Sequence, residues 1–154
     1  MLRTVIGSEV QVQQVSATTS SRADHIPSVD TMASRVLWEN GIEGVISLSF
    51  ACTFVKFELE ITGTEGYVLL QRKLDGPPGY NVTVNGQDIE EFGFSGIENE
   101  FEAFAKACQE KDPTIDCNTP LEALKDLEIV EACLESGKGG GSIVTVSNKS
   151  NNTY

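Results

Sequence analysis

Apolar residues recur at every second position along most of the first ninety residues, and then at every third and fourth. Residues Glu9 to Thr18 alternate around Val10 and Val12, and the parity slips at Gln13-Gln14 before Val15, as a β-bulge would make it do. Residues Thr19 to Val29 are polar, with Pro27 as a breaker, and predict a loop. Asp30 to Trp38 predicts a strand, and Asn40-Gly41 a two-residue hairpin turn. The chain then runs back through Ile42 to Cys52, with Ile46, Leu48, Phe50 and Cys52 on one face. Phe57, Leu59 and Ile61 alternate with Lys56, Glu58 and Glu60, and Gly63-Thr64-Glu65-Gly66 turns the chain into Tyr67 to Arg72. The loop Asp75 to Gly79 leads to Tyr80 to Val84, and Asn85-Gly86 makes a second hairpin into Gln87 to Phe94.

The helical period begins at Ser95. Ser95-Gly96-Ile97-Glu98 is a capping box, followed by Ile97, Phe101, Phe104, Ala105 and Cys108 on one helix face. A second helix starts with Thr119 as cap, Pro120 in the first helical position and Glu122 closing the box. Leu121, Leu124, Leu127, Val130 and Leu134 are its predicted buried face. Ser136-Gly137 ends it, Lys138 to Gly141 makes a flexible turn, and Ser142 to Val146 a last short strand. At the other end, Leu2, Val5 and Ile6 fall on one helical face, and Gly7 suits the left-handed position after a helix. Hairpins first and helices late predict the α+β class: an open, predominantly antiparallel sheet of about six strands with helices packed on one face. The sheet's other face is then free to meet a partner.

Charge narrows the functions. The net charge is −12, and fourteen acidic against three basic residues fall between Asn85 and Glu135. So acidic a chain repels phosphate backbones, which excludes nucleic acid as a partner. The carboxylates read as the wet faces of the two helices. No apolar run approaches the length of a membrane span, and the segment from Met1 to Gly7 is too short for a secretory signal. A cytoplasmic location is expected, and the sequons at Asn81, Asn148 and Asn152 then carry little weight. Cys52, Cys108, Cys117 and Cys133 include no C-x-x-C pair and His25 is the single histidine, so no metal site is expected and the thiols read as buried and free.

Catalytic chemistry is sparse. No G-x-G-x-x-G leads from a strand into a helix, and the glycines of 137–141 follow a helix instead, the wrong order for a phosphate cradle. There is no G-x-S-x-G elbow. His25 lies beside Asp24 in a polar loop and reads as a surface residue. The pairs Glu98/Glu102 and Glu128/Glu131 lie at helical spacing on faces expected to be solvated, away from the cleft an acid/base pair needs. Trp38 reads as packing, and Arg72 and Lys73 at a strand end as solvated cations that could at most face an anionic substrate.

Several stretches in order carry a resemblance. Leu2 to Val10, Val29-Asp30 with Leu37-Trp38-Glu39-Asn40-Gly41, Ile61 to Gly66, Phe94 to Ala107, Asn118 to Asp126 and Val130 to Ser136 together resemble the C-terminal domain of Gfo/Idh/MocA oxidoreductases, over about residues 1–146. The resemblance implies an N-terminal Rossmann domain binding NAD or NADP, and a C-terminal α+β domain that covers the nicotinamide, shapes the substrate pocket and forms a dimer interface. It also implies hydride transfer with a sugar, polyol or related carbon, assisted by the Lys of a Glu-Lys-Pro motif and a His on the joining helix. This sequence has no Glu-Lys-Pro, residues 1–7 resemble only the end of the joining helix, and His25 is too far downstream to match its His.

The expectation is therefore the substrate-binding and oligomerisation domain of an NAD(P)-dependent sugar- or polyol-type oxidoreductase, present as a fragment. It should have no catalytic residue and bind no cofactor on its own. Residues 147–154 should be a disordered polar tail, and the partner a second copy across the open sheet face. The alternative is a non-enzymatic interaction or sugar-sensing module on the same fold.

Overall fold

The computed structural model describes residues 5–7, 9–110 and 119–146, apart from the side chains of Asp88 and Ile89. It divides into two compact units, Met1–Ala51 with Thr114–Tyr154 and Cys52–Pro113. The expectations for residues 1–4, Cys117 and the 147–154 tail lie outside the described residues. Val5 and Ile6 are helical, and Gly7 takes the left-handed φ of 114°.

The first unit is a four-stranded antiparallel sheet in the order β3-β2-β1-β8, from β1 (Val12–Ser20), β2 (Thr31–Trp38), β3 (Glu43–Ser49) and β8 (Val144–Thr145). The register between β1 and β2 shifts between Val12 and Gln14, where the parity slip placed a bulge. That shift keeps Val12, Val15 and Ala17 on one face, opposite Trp38, Val36 and Ser34. The core is Val12, Val15, Ala17, Met32, Val36, Trp38, Ala132, Cys133 and Val146. A fully buried valine such as Val15 or Val36 contributes about 2 kcal/mol. The Trp38 indole lies over Gly44, where a Cβ would come within 2.9 Å of the ring. The turn after Trp38 is three residues rather than two: Trp38 N–H donates to Ile42 O, Gly41 N–H donates to Trp38 O, and only Gly41 has positive φ. Asn40 without a left-handed φ cannot make the two-residue turn, so the loop takes in Glu39 as well.

The second unit is another four-stranded antiparallel sheet, β4-β5-β6-β7, from β4 (Glu58–Gly63), β5 (Gly66–Arg72), β6 (Gly79–Val84) and β7 (Gln87–Gly93). The α+β class and the antiparallel pairing are as expected. The strands form two four-stranded sheets because residues 50–57 bend and make no ladder between β3 and β4. The Asn85-Gly86 turn is the two-residue type foreseen, with φ of 51° and 80°. Asn85 Oδ1 also accepts from Tyr67 N–H at 2.8 Å, and a Cβ on Gly66 would fall 1.9 Å from that oxygen, so only glycine fits there.

The two helices depart from expectation. Helix α1 (Gly96–Glu110) buries none of its residues, so the Ile97, Phe101 and Phe104 stripe does not pack on a sheet. Helix α2 (Pro120–Lys138) packs on β1, but through Glu128, Ala132, Cys133 and Ser136 rather than through its leucines. Small residues let the helix backbone approach the strand. A Cβ on Gly137 would lie 2.3 Å from Thr19 Oγ1, and Ser136 Oγ accepts from Ala17 N–H at 2.8 Å. Those close contacts fix the helix rotation and leave Leu121, Leu124, Leu127 and Val130 outside. Its cap is as read: Thr119 Oγ1 accepts from Glu122 N–H, with Pro120 next.

Candidate functional site

Paired residues on antiparallel strands point to the same side of a sheet. In the second unit the pairings stack Leu59, Leu70 and Val82 in one row and Ile61, Val68 and Val84 in the next. Tyr80 and Phe92 extend the same face, and the Tyr80 ring meets Phe57 at 5.8 Å edge-on and Phe94 at 6.4 Å stacked. The other face carries Glu58, Gln71, Asn81 and Glu91 across the four strands. Gln71 Nε2 donates to Glu58 Oε1 there, and Lys73 pairs with Glu91. The sheet is thus polar on one side and mainly apolar on the other, where Arg72, Gln87 and Glu90 also lie. The apolar side has no cover: among the described residues of this unit only Gly79 is buried, and Val68, Ile61 and Phe92 are exposed.

A second uncovered face belongs to α2. Leu124, Leu127, Val130 and Leu134 line a shallow groove with Glu128, Glu131, Glu135 and Lys138. Glu128 was expected in solvent. It is only 5% exposed, and its Oε1 has no hydrogen-bond partner.

The remaining candidates stay apart. His25 and Asp24 are exposed in the β1–β2 loop. Arg72 shares the apolar side of its sheet with Tyr80, whereas Lys73 is on the opposite side in its pair with Glu91. Glu98 and Glu102 are exposed on α1. Cys133 is buried as expected, but Cys52 and Cys108 are exposed. Burial pushes the Cys133 thiol up, partly offset by the Ser34 hydroxyl, which makes it a packing group rather than a nucleophile. Among the described residues no group of His, Cys, Asp and Glu is arranged to hold a metal ion.

The glycine turn does not fit the phosphates of a dinucleotide either. A phosphate cradle needs free backbone N–H groups at the start of a helix. The glycine turn lies at the end of α2 and its N–H groups are engaged: Gly139 with Glu135 O, Gly140 with Gly137 O and Gly141 with Ser136 O. Sequence reasoning foresaw a free sheet face and missed the uncovered face of α2. The β-sheet face was legible from the period of two, but that nothing covers it depends on where α1 goes.

No family model matches the chain. It is 28% identical over 153 residues to the Dehydrogenase FPY6 of Fusarium mangiferae, covering 95% of this chain and 42% of that protein. An oxidoreductase structure from Thermotoga maritima superposes with a TM-score of 0.76 at 27% identity, over 94% of this chain and 40% of that one. The structural neighbours are Gfo/Idh/MocA-type oxidoreductases, and this chain resembles them over nearly its whole length. The WlbA dehydrogenase from Bordetella pertussis, solved in complex with NADH and UDP-GlcNAcA, shares the fold at 18% identity, with a TM-score of 0.57 over 95% of this chain and 41% of its own. In each case this chain spans about two-fifths of the relative, and the α+β domain described above corresponds to the C-terminal part of these oxidoreductases.

Proposed function

We propose that this chain is the substrate-binding and oligomerisation domain of an NAD(P)-dependent oxidoreductase acting on a sugar- or polyol-type carbon, and that it performs no redox step alone. The observation that carries the reading is the pairing of a near-complete match to this chain with two-fifths coverage of the relatives. Hydride transfer requires donor and acceptor held a few ångströms apart with a proton shuttle beside them. The glycine turn cannot cradle a dinucleotide and among the described residues no catalytic pair is assembled, so this reading assigns both to a nucleotide-binding half. The domain's part is to form one wall of the substrate site and to exclude water from it.

The apolar side of β4 to β7 is the oligomerisation surface. Two such faces pressed together remove on the order of 1,200 to 1,600 Å² from water, enough for a specific homodimer. The test of the reading is a chimera in which this chain replaces the corresponding part of the Thermotoga oxidoreductase. NAD(P)-dependent turnover of one or more aldoses or polyols is expected from the chimera. A chimera that binds NAD(P) and forms the dimer but turns over no member of a broad aldose and polyol panel would overturn the assignment.

A further inference from the structure

Two charged residues stand in the apolar side of the second sheet. Arg72, Tyr80 and Phe92 form one row across β5, β6 and β7, and Leu70, Val82 and Glu90 form the next. Arg72 and Glu90 are both exposed, and among the described residues neither has a partner of opposite charge in its own chain. The polar side differs, for there Lys73 is paired with Glu91 and Glu58 with Lys56. A charge covered by an apolar surface is strongly unfavourable unless the cover brings the opposite charge to it. This face holds one charge of each sign, so a second copy of itself supplies both.

We infer that Arg72 of each copy pairs with the partner's Glu90 across a two-fold axis over β6, and that this reciprocal pair sets the register of the dimer. The inference rests on the oligomerisation role proposed above. Arg72 and Glu90 lie on the strands that flank β6, about 10 Å apart across the sheet and about 7 Å along it. Aligned sheets pack face to face with their strands within about 30° of each other. An axis between two such faces, running along β6, exchanges β5 with β7. It sets Arg72 over the partner's Phe92, one row from the partner's Glu90. The Arg72 stem lies along that ring and carries the guanidinium over the remaining row. An axis between β5 and β6 would instead set Arg72 over Tyr80 and Glu90 over Leu59, with both charges unpaired. Because a two-fold contact is self-complementary, the pair forms twice.

The test is a pair of charge reversals, read by sedimentation equilibrium of this chain. Arg72→Glu places like charges at both contacts, and so does Glu90→Arg. Each should weaken the homodimer by at least about tenfold. Mixed in equal amounts, the two variants should dimerise within about threefold of wild type, because each contact of the mixed dimer again joins opposite charges. The chain carrying both reversals should recover in the same way. Recovery on mixing is the deciding result, since damage that a substitution does within its own chain is not repaired by another chain. Single variants that dimerise like wild type would overturn the pairing and leave the oligomerisation role in place. So would a loss that neither mixing nor the double reversal repairs. A wild-type chain that is monomeric at micromolar concentration would overturn both.

Discussion

Asp30 Oδ2 accepts from the backbone N–H groups of Arg22 and Ala23, both at 2.8 Å, and Oδ1 accepts from the Thr31 hydroxyl at 2.8 Å. One carboxyl, 1% exposed, thereby closes the loop that carries His25. The sequence shows Asp30 only as the first residue of a strand, because what it binds lies seven and eight residues back across a loop with no period. The Ala23 N–H, helped by Arg22 and Thr31 against the opposing effect of burial, holds this carboxyl below its ordinary value of 3.8. A depressed native value means that Asp30 stabilises the fold above about pH 3.8, and that this contribution fades as pH falls through the native value. Asp30→Asn should therefore lower the urea midpoint at neutral pH, with the gap to wild type closing below about pH 3.8. A gap independent of pH would show that the ionised carboxyl is not what holds the loop.

Ser136 plays the matching part between α2 and the first sheet. Its Oγ accepts from Ala17 N–H and donates to Ser142 O, at 2.8 and 2.5 Å, and Gly141 N–H bonds to Ser136 O. Replacing it with alanine leaves a buried Ala17 N–H without a partner, which costs about 1–3 kcal/mol. Equilibrium denaturation of Ser136→Ala measures this, and a change within a few tenths of a kcal/mol would refute the role given to Ser136. The strands were legible in the sequence to within a few residues, since a period of two marks a strand whatever it packs against. The bulge at Gln13-Gln14 and the Asn85-Gly86 turn follow from local geometry alone and appear where expected. The rotation of α2 was not legible. Its leucine stripe is the stronger apolar signal, but Ser136, Gly137 and Cys133 fit closer to the sheet, and close approach decided the packing. Helix α1 repeats the point, for an apolar stripe says that a helix wants a partner and not that this chain holds it.

The two uncovered faces lie on different units. Val68 sits on the apolar side of its sheet, paired with Ile61 and Val84, while the neighbouring Leu69 falls on the other side with Glu60 and Thr83. Val68→Glu should dissociate a dimer formed through that face, and Leu69→Glu should disturb it less. Sedimentation equilibrium at micromolar concentration reads both, and a wild-type monomer would remove the oligomerisation role. Among the described residues no helix is long and apolar enough to cross a membrane. The central claim is that cofactor and catalysis belong to a nucleotide-binding half and not to this domain. Its most direct test is a calorimetric titration of NAD(H) and NADP(H) into this chain alone at millimolar concentration. No saturable heat is the expected result; a saturable isotherm with either cofactor would contradict the claim.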